Sequence, residues 1–431
     1  MTELEQLDFF TDQSLVADPY PYMEAMRSGC PVRREPHKNV LMVTGYDEAL
    51  AVFSDSENFS SCSAVTGPFP GFPVPLEGLP DDEVSALIDK HRGELPFSDQ
   101  VTVMDPPTHT AHRALLMGLI TPKRLKENEE FMWRHADRYL EPYLAGGSGE
   151  YIGDFAQPFT LAVIADLLGV PEEDRPEFSA KMGRQSQGGG VGSTADASLS
   201  HSPLEYLYQR FSGYIEDRRR NPQADALTEM AEARFPDGSV PEVMDVVRIA
   251  ANLYTAGQET TVRLLSAALL TLAERPDIQQ LLRTEREKIP NFIEEMLRIE
   301  SPVKGDFRLA RRSTTIGGVD VPAGTTVMVM NGAANRDPRQ FPDPDTLDVT
   351  RSNARRHIAF GRGVHSCPGS PLARVETRVS IERILDQTTE IRLSEEHHGP
   401  ADARRLNYVP TFILRGLTEL HLEFTRKEGR G

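Results

Sequence analysis

The sequence predicts a mainly α protein with a minor β part, on three observations. Apolar residues recur at helical spacing from about residue 105 to 300, the residues after about 305 break into short β-rich runs between glycine and proline turns, and a helical pattern returns near residue 371. The clearest helix runs from Val240 to Leu272, with Pro241 near its start, Glu242 and Asp245 in its first turn and Pro276 beyond its end. At ~1.5 Å per residue it reaches roughly 45–50 Å, enough to cross a whole domain. Thr314 to Ile316, Val319 to Val321 and Thr325 to Met330 read as strands, separated by Gly317-Gly318 and Pro322-Ala323-Gly324. A further helix is expected over Pro371 to Leu385 with Ser370 as its N-cap. Phe412 to Leu414 and Leu417 to Phe424 suggest a final hairpin.

Two segments differ from these. Ser60 to Pro96 is rich in proline and glycine around one short helix expected at Asp81 to Lys90, and Gln185 to Pro203 contains Gly188-Gly189-Gly190 and Gly192 among serines and threonines. Loops of this length are uncommon inside a compact domain and commonly act as lids or binding loops.

Composition excludes several function classes. The chain has 431 residues, which a prior of ~150 residues per domain divides into two or three domains, although one large core also fits. It carries 47 Lys and Arg against 65 Asp and Glu, a formal net charge of −18. A phosphate-tracking surface needs the opposite excess, so no nucleic-acid partner is expected. At 39% hydrophobic and 26% charged residues the chain can build a core and is not globally disordered. No apolar run approaches the ~20 residues of a membrane span, and the start from Met1 to Gln6 is acidic where a secretory signal is basic. A cytoplasmic location without a membrane partner is the expectation. Cys30, Cys62 and Cys367 are too few for a disulfide framework, and without CxxC spacing a zinc site would need scattered ligands.

One of these cysteines has unusual neighbours. Phe360-Gly361-Arg362-Gly363-Val364-His365-Ser366-Cys367-Pro368-Gly369 places three glycines, a histidine and a cysteine in ten residues ahead of a helix. Glycines at this density let the backbone pass close to a bulky flat group, and a thiolate near a helix N-terminus is stabilised by converging N–H dipoles. That combination suits a metal ligand.

The segment resembles the haem-binding loop of the cytochrome P450 superfamily, F-G-x-G-x-H-x-C-x-G followed by x-x-L-A-R, which Leu372-Ala373-Arg374 completes. The resemblance implies haem b with Cys367 as the axial thiolate to iron, a ligand type that favours O–O cleavage. Phe360, Gly361 and Gly369 would then lie against the haem. Ala256-Gly257-Gln258-Glu259-Thr260-Thr261 resembles the family's (A/G)-G-x-(D/E)-T helix pattern. It implies that Ala256 and Gly257 flank the haem, that Thr260 is the oxygen-side hydroxyl and that Glu259 relays protons through water. Asp105 to Arg113 resembles D-P-P-x-H-x-x-x-R, so that His109 and Arg113, with Arg308 and His365, match the positions that hold the haem propionates. Glu295-Met296-Leu297-Arg298 matches E-x-x-R, whose role in the family is structural, with Arg351 as the third partner.

The similarity runs from about residue 15 to 425. It implies one cytochrome P450-like domain over 1–431, a haem-thiolate fold with the long central helix over the haem. The resemblance is to the soluble bacterial, ferredoxin-dependent type. It implies a monomeric monooxygenase that inserts one oxygen atom from O₂ into a hydrophobic small molecule of terpenoid, steroid-like or polyketide-like kind. A small ferredoxin and an NAD(P)H-dependent ferredoxin reductase would supply electrons, and Arg355, Arg356 and Arg362 are the basic residues expected to steer the ferredoxin. Asn252, Thr255, Val303, Thr411 and Phe412 are the expected substrate-pocket residues. The rival readings are a peroxygenase using hydrogen peroxide and a non-catalytic haem-based sensor. The Glu259–Thr260 pair argues against both. Pro368 has no N–H to offer the Cys367 sulfur, so the sulfur is expected to have one donor fewer and the iron a lower reduction potential. Ser60 to Pro96 and Gln185 to Pro203 are expected to act as the pocket's lid.

Overall fold

The computed structural model describes residues 3–182, 192 and 202–427. The main helices are α1 (Tyr20–Gly29), α2 (Tyr46–Ser54), α3 (Asp81–His91), α4 (Thr108–Leu119), α5 (Pro122–Ala145), α6 (Gln157–Leu167), α7 (Ser202–Arg220), α8 (Val243–Glu274), α9 (Pro276–Thr284), α10 (Ile289–Glu300) and α11 (Ser370–Gln387). The strands are β1 (Val32–Arg34), β2 (Leu41–Val43), β3 (Phe59–Ser60), β4 (Ser148–Glu150), β5 (Asp306–Ala310), β6 (Thr314–Ile316), β7 (Val319–Val321), β8 (Thr326–Val329), β9 (Thr388–Leu393) and β10 (His421–Arg426).

Helix α8 is the spine of the molecule. Its 32 residues pack against α6, α7, α10 and α11. It begins at Val243 rather than Val240, because Glu242 is extended and forms a reciprocal cap with Asp245, whose Oδ2 accepts the Glu242 N–H at 3.1 Å. Its apolar side joins one large helical core with Phe155, Phe159, Leu265, Leu269 and Phe292.

The strands form a five-stranded sheet in the order β1-β2-β8-β5-β3, a three-stranded sheet β4-β10-β9 and the hairpin β6-β7. In the larger sheet only β2 and β8 run parallel, with Leu41 opposite Val327. The β6-β7 hairpin turns through Gly317 and Gly318, both at positive φ, as a tight two-residue turn requires. A second core, including Val43, Val327, Val329 and Phe341, lies on this sheet.

Three local expectations are corrected. Helix α11 starts at Ser370 itself with Gly369 in the cap position, so Ser370 makes no cap hydrogen bond. The final hairpin does not form. Thr411 Oγ1 accepts the Ile413 and Leu414 N–H groups at 3.2 and 3.3 Å, which bends the chain, and β10 pairs instead with β9 and β4. The Ser60 to Pro96 segment is tied down. Buried Asp105 accepts the Ser60 hydroxyl at 2.5 Å and the Ser61 N–H at 2.8 Å and pairs with Arg92, while Val84 and Ile88 of α3 are fully buried. The other expected lid, Gln185 to Pro203, lies outside the described residues except for Gly192 and the first residues of α7.

Candidate active site

The cysteine loop leaves the α10 region, turns twice and delivers the chain to α11. Gly361 and Gly363 adopt φ of 64° and 71°, and a Cβ on Gly363 would collide with the Phe53 carbonyl oxygen. Only glycine fits there. The turn closes where the Cys367 N–H donates to the Phe360 carbonyl at 2.8 Å. Burial pushes the Cys367 thiol up, opposed by the Gly369 N–H aimed at the sulfur and by the Arg113 and Arg374 guanidinium groups.

Cys367 opens on a mostly apolar cavity. Its wall takes Asn252, Ala256, Gly257 and Thr260 from α8, His109 and Arg113 from α4, Val303 and Arg308 from around β5, and Phe360, Gly361, His365 and Gly369 from the cysteine loop. Thr255, Thr411 and Phe412 do not line this cavity. The Thr255 hydroxyl folds back onto the Ala251 carbonyl at 3.1 Å, the Thr411 hydroxyl is spent on the backbone bend, and Phe412 packs edge-on against Phe10 at 5.1 Å. Glu259 also lies off the wall, paired with Arg263 one turn along the helix. A methyl at Gly257 would meet Ile164 at only 3.4 Å, an ordinary contact, so protein packing does not demand the glycine.

Four nitrogen-bearing side chains from three elements, His109 and Arg113, Arg308, and His365, stand on this wall. The His109 and His365 rings stand 4.0 Å apart, and His109 Nδ1 and His365 Nε2 are buried with no hydrogen-bond partner among the described residues. Burial pushes His109 down to about 4, and burial together with Arg308 and His109 pushes His365 down to about 2. Arg113 donates to the Ser366 carbonyl at 2.5 Å and Arg308 to the Phe307 carbonyl at 2.6 Å. Among the described residues neither arginine forms an ion pair with a carboxylate. Buried polar groups without partners are costly, and a dianionic guest would relieve the two histidine nitrogens and pair with both arginines at once. Two propionates above a sulfur ligand fit this arrangement, so the residues present are suited to haem.

Behind the loop, Glu295, Arg298 and Arg351 meet. Arg298 Nε and Nη2 reach the two Glu295 oxygens at 2.6 and 3.0 Å, Arg351 Nε reaches Glu295 Oε2 at 3.1 Å, and both arginines also donate to backbone carbonyls between Asn335 and Thr346. The neighbouring Glu294, which the sequence reading passed over, binds Arg374 and His357, the latter at 3.0 Å. Its signal was present only as the unassigned arginine of L-A-R. On the outer face Arg355, Arg356 and Arg362 are exposed, Arg355 within 3.5 Å of Glu294.

Comparison with known proteins places these features in a family. The cytochrome P450 family model matches residues 204–397. Cytochrome P450 144 of Mycobacterium tuberculosis is 31% identical over 430 residues, covering 98% of this chain and 92% of that protein. The 6-deoxyerythronolide B hydroxylase of Saccharopolyspora erythraea is 32% identical over 97% of this chain and 98% of its own length. The solved structure of substrate-free CYP150A6, a cytochrome P450 of Mycobacterium marinum, is 55% identical and superposes with a TM-score of 0.92 over 99% of this chain and all of that one. The chain belongs to the cytochrome P450 family. It is an oxidoreductase of the monooxygenase kind whose cofactor is haem iron with thiolate ligation, and among the described residues no helix is long and apolar enough to cross a membrane.

Proposed function

We propose that this protein is a cytoplasmic monooxygenase that hydroxylates a hydrophobic small molecule, of terpenoid, steroid-like or polyketide-like kind, with electrons from a separate ferredoxin and its NAD(P)H-dependent reductase. The observation that carries the reading is a single apolar cavity holding the Cys367 sulfur, four propionate-type donors without acidic partners and the Thr260 hydroxyl. Bound haem supplies the oxygen-activating chemistry. Cys367 would hold the iron, and His109, Arg113, Arg308 and His365 the propionates. Thr260 donates its proton to the Ala256 carbonyl at 2.9 Å, which leaves the oxygen's lone pairs on the cavity side to hold a water. Glu259, next to it, would pass protons to that water. Asn252, two turns before Thr260 on the same helix, and Val303 would meet the substrate.

The relatives support this substrate range. They include 6-deoxyerythronolide B hydroxylase and the vitamin D(3) 25-hydroxylase of Pseudonocardia autotrophica. The exposed Arg355, Arg356 and Arg362 offer an acidic ferredoxin a local basic surface on a chain of net charge −18.

The test is product formation by the haem-loaded enzyme with a surrogate ferredoxin system, compared with hydrogen peroxide alone. Thr260→Ala should divert NAD(P)H to peroxide with spectral binding nearly unchanged, and Glu259→Gln should slow turnover. Wild-type product per NAD(P)H in both variants would refute the relay. Turnover with peroxide only would favour a peroxygenase, and no turnover with either a sensor.

A further inference from the structure

Arg263 lies on α8 one turn after Glu259, is 5% exposed, and spends a single nitrogen on the Glu259 carboxylate. Its Nε and Nη1 are buried without partners among the described residues. Its seat is cut for it. A Cβ on Gly416 would stand 2.5 Å from Arg263 Cγ and 2.8 Å from Nη1, so the loop after Arg415 leaves out a side chain where the guanidinium stem passes. The surroundings hold more positive charge than the local acids balance. Lys304, also buried, donates to the Thr411 carbonyl at 2.7 Å, and Arg415 is already committed to Glu300 at 3.0 Å. Arg263 therefore has one carboxylate to hold, and that carboxylate is the one next to Thr260.

We propose that Arg263 is the positioning residue for Glu259, holding its carboxylate along the helix axis just off the cavity wall. The proposal rests on the reading of Glu259 as the proton relay. An arginine at i+4 fixes the carboxylate by charge and by a directed N–H, while its buried position keeps bulk water from competing. The carboxylate then swings between Arg263 and the Thr260 water.

The test uses the full-length haem-loaded enzyme without added substrate, a plant-type ferredoxin and its reductase, and NADPH oxidation in H₂O and D₂O. Arg263→Met should slow NADPH oxidation about tenfold and at least double the solvent isotope effect, less than the roughly 10²–10⁴-fold that general acid–base assistance commonly carries, because Glu259 itself remains. Gly416→Ala, which touches neither Glu259 nor the cavity, should do the same by displacing the guanidinium. Arg263→Lys keeps the charged contact and should stay within about twofold of wild type. A double-mutant cycle of Arg263→Met with Glu259→Gln, read by denaturant unfolding, should show non-additivity of roughly fivefold or more in the unfolding constant. If Glu259→Gln is impaired while Arg263→Met and Gly416→Ala behave as wild type, the positioning role is overturned and the relay stands. If Glu259→Gln itself behaves as wild type, both fall. An Arg263→Lys variant as slow as Arg263→Met assigns the effect to packing and also overturns the proposal.

Discussion

Glu294 and Arg374, 80 residues apart in sequence, meet in a two-pronged ion pair, with Arg374 Nε 2.7 Å from Oε1 and Nη2 3.0 Å from Oε2. Arg374 belongs to the first turns of α11 directly after the cysteine loop, and its guanidinium also lies 4.7 Å from the centre of the Phe360 ring. One carboxylate thus clamps the far end of the loop, and one ring clamps the near end to the same arginine.

Glu294→Gln should therefore loosen the loop, and the loss should depend on pH. Burial alone would raise this carboxyl, but the hydrogen bonds from His357 and Arg374 outweigh it and hold the group at about 2. A carboxyl lowered on folding contributes stability that is present above its unfolded value near 4.5 and is lost as pH falls toward 2. Denaturant melts of wild type and Glu294→Gln should differ most at pH 6–7 and converge near pH 2. A constant difference would contradict the assignment.

Arg298→Ala should cost about 3–5 kcal/mol, since it leaves the Glu295 carboxylate buried with one of its two arginine partners gone. Arg298 and Glu295 are both fully buried. Haem content after purification and the urea midpoint should fall together. Arg351→Ala, which removes the other partner at 3.1 Å, should cost less.

Lys304→Met should stabilise the protein at neutral and acid pH. Burial, then Arg415 and Arg263, push this amine down to about 7. Between about 7 and its unfolded value near 10.5 the unfolded chain binds a proton that the native state does not, so wild-type stability rises with pH through this window. Below pH 7 the full penalty is present. Thermal melts at pH 6, 8 and 10 should show the variant's advantage shrinking toward pH 10, where the lost hydrogen bond to Thr411 reverses the sign. An advantage that grows with pH would refute the account.

Cys367→Ser should abolish the red-shifted Soret band of the reduced, CO-treated protein, because the thiolate's electron donation is removed. Retention of that band would mean that a different residue ligates the iron.

Pro368→Leu should raise the iron's reduction potential, since it restores an N–H directly after the ligand where the structure aims only the Gly369 N–H at the sulfur. Spectroelectrochemistry of the two proteins checks it. A potential that stays the same or drops would remove the proposed effect of the missing donor.

The sequence by itself determined the class of protein and, to within a few residues, the span of its main helices. Helical spacing over α8, the glycine turns around β6 and β7, and the spaced residues of the cysteine loop are local patterns, written in neighbouring residues. Those patterns also located the residues that the structure gathers on one cavity, from His109 to Gly369. What they missed depends on partners distant in sequence. Thr255, Thr411 and Phe412 carry the right chemistry for a pocket, yet a backbone hydrogen bond, a bend and an aromatic neighbour take them elsewhere.

Only the tertiary structure decided which charges pair. The sequence pattern singles out neither Glu294, which Arg374 and His357 reach from another helix and loop, nor Arg263, whose seat Gly416 opens. The physical reason is that spacing along a chain fixes the face a side chain shares with its near neighbours. Burial and ion pairing are set by whichever surface folds against that face, and in these cases those surfaces come from residues 63 and more positions away.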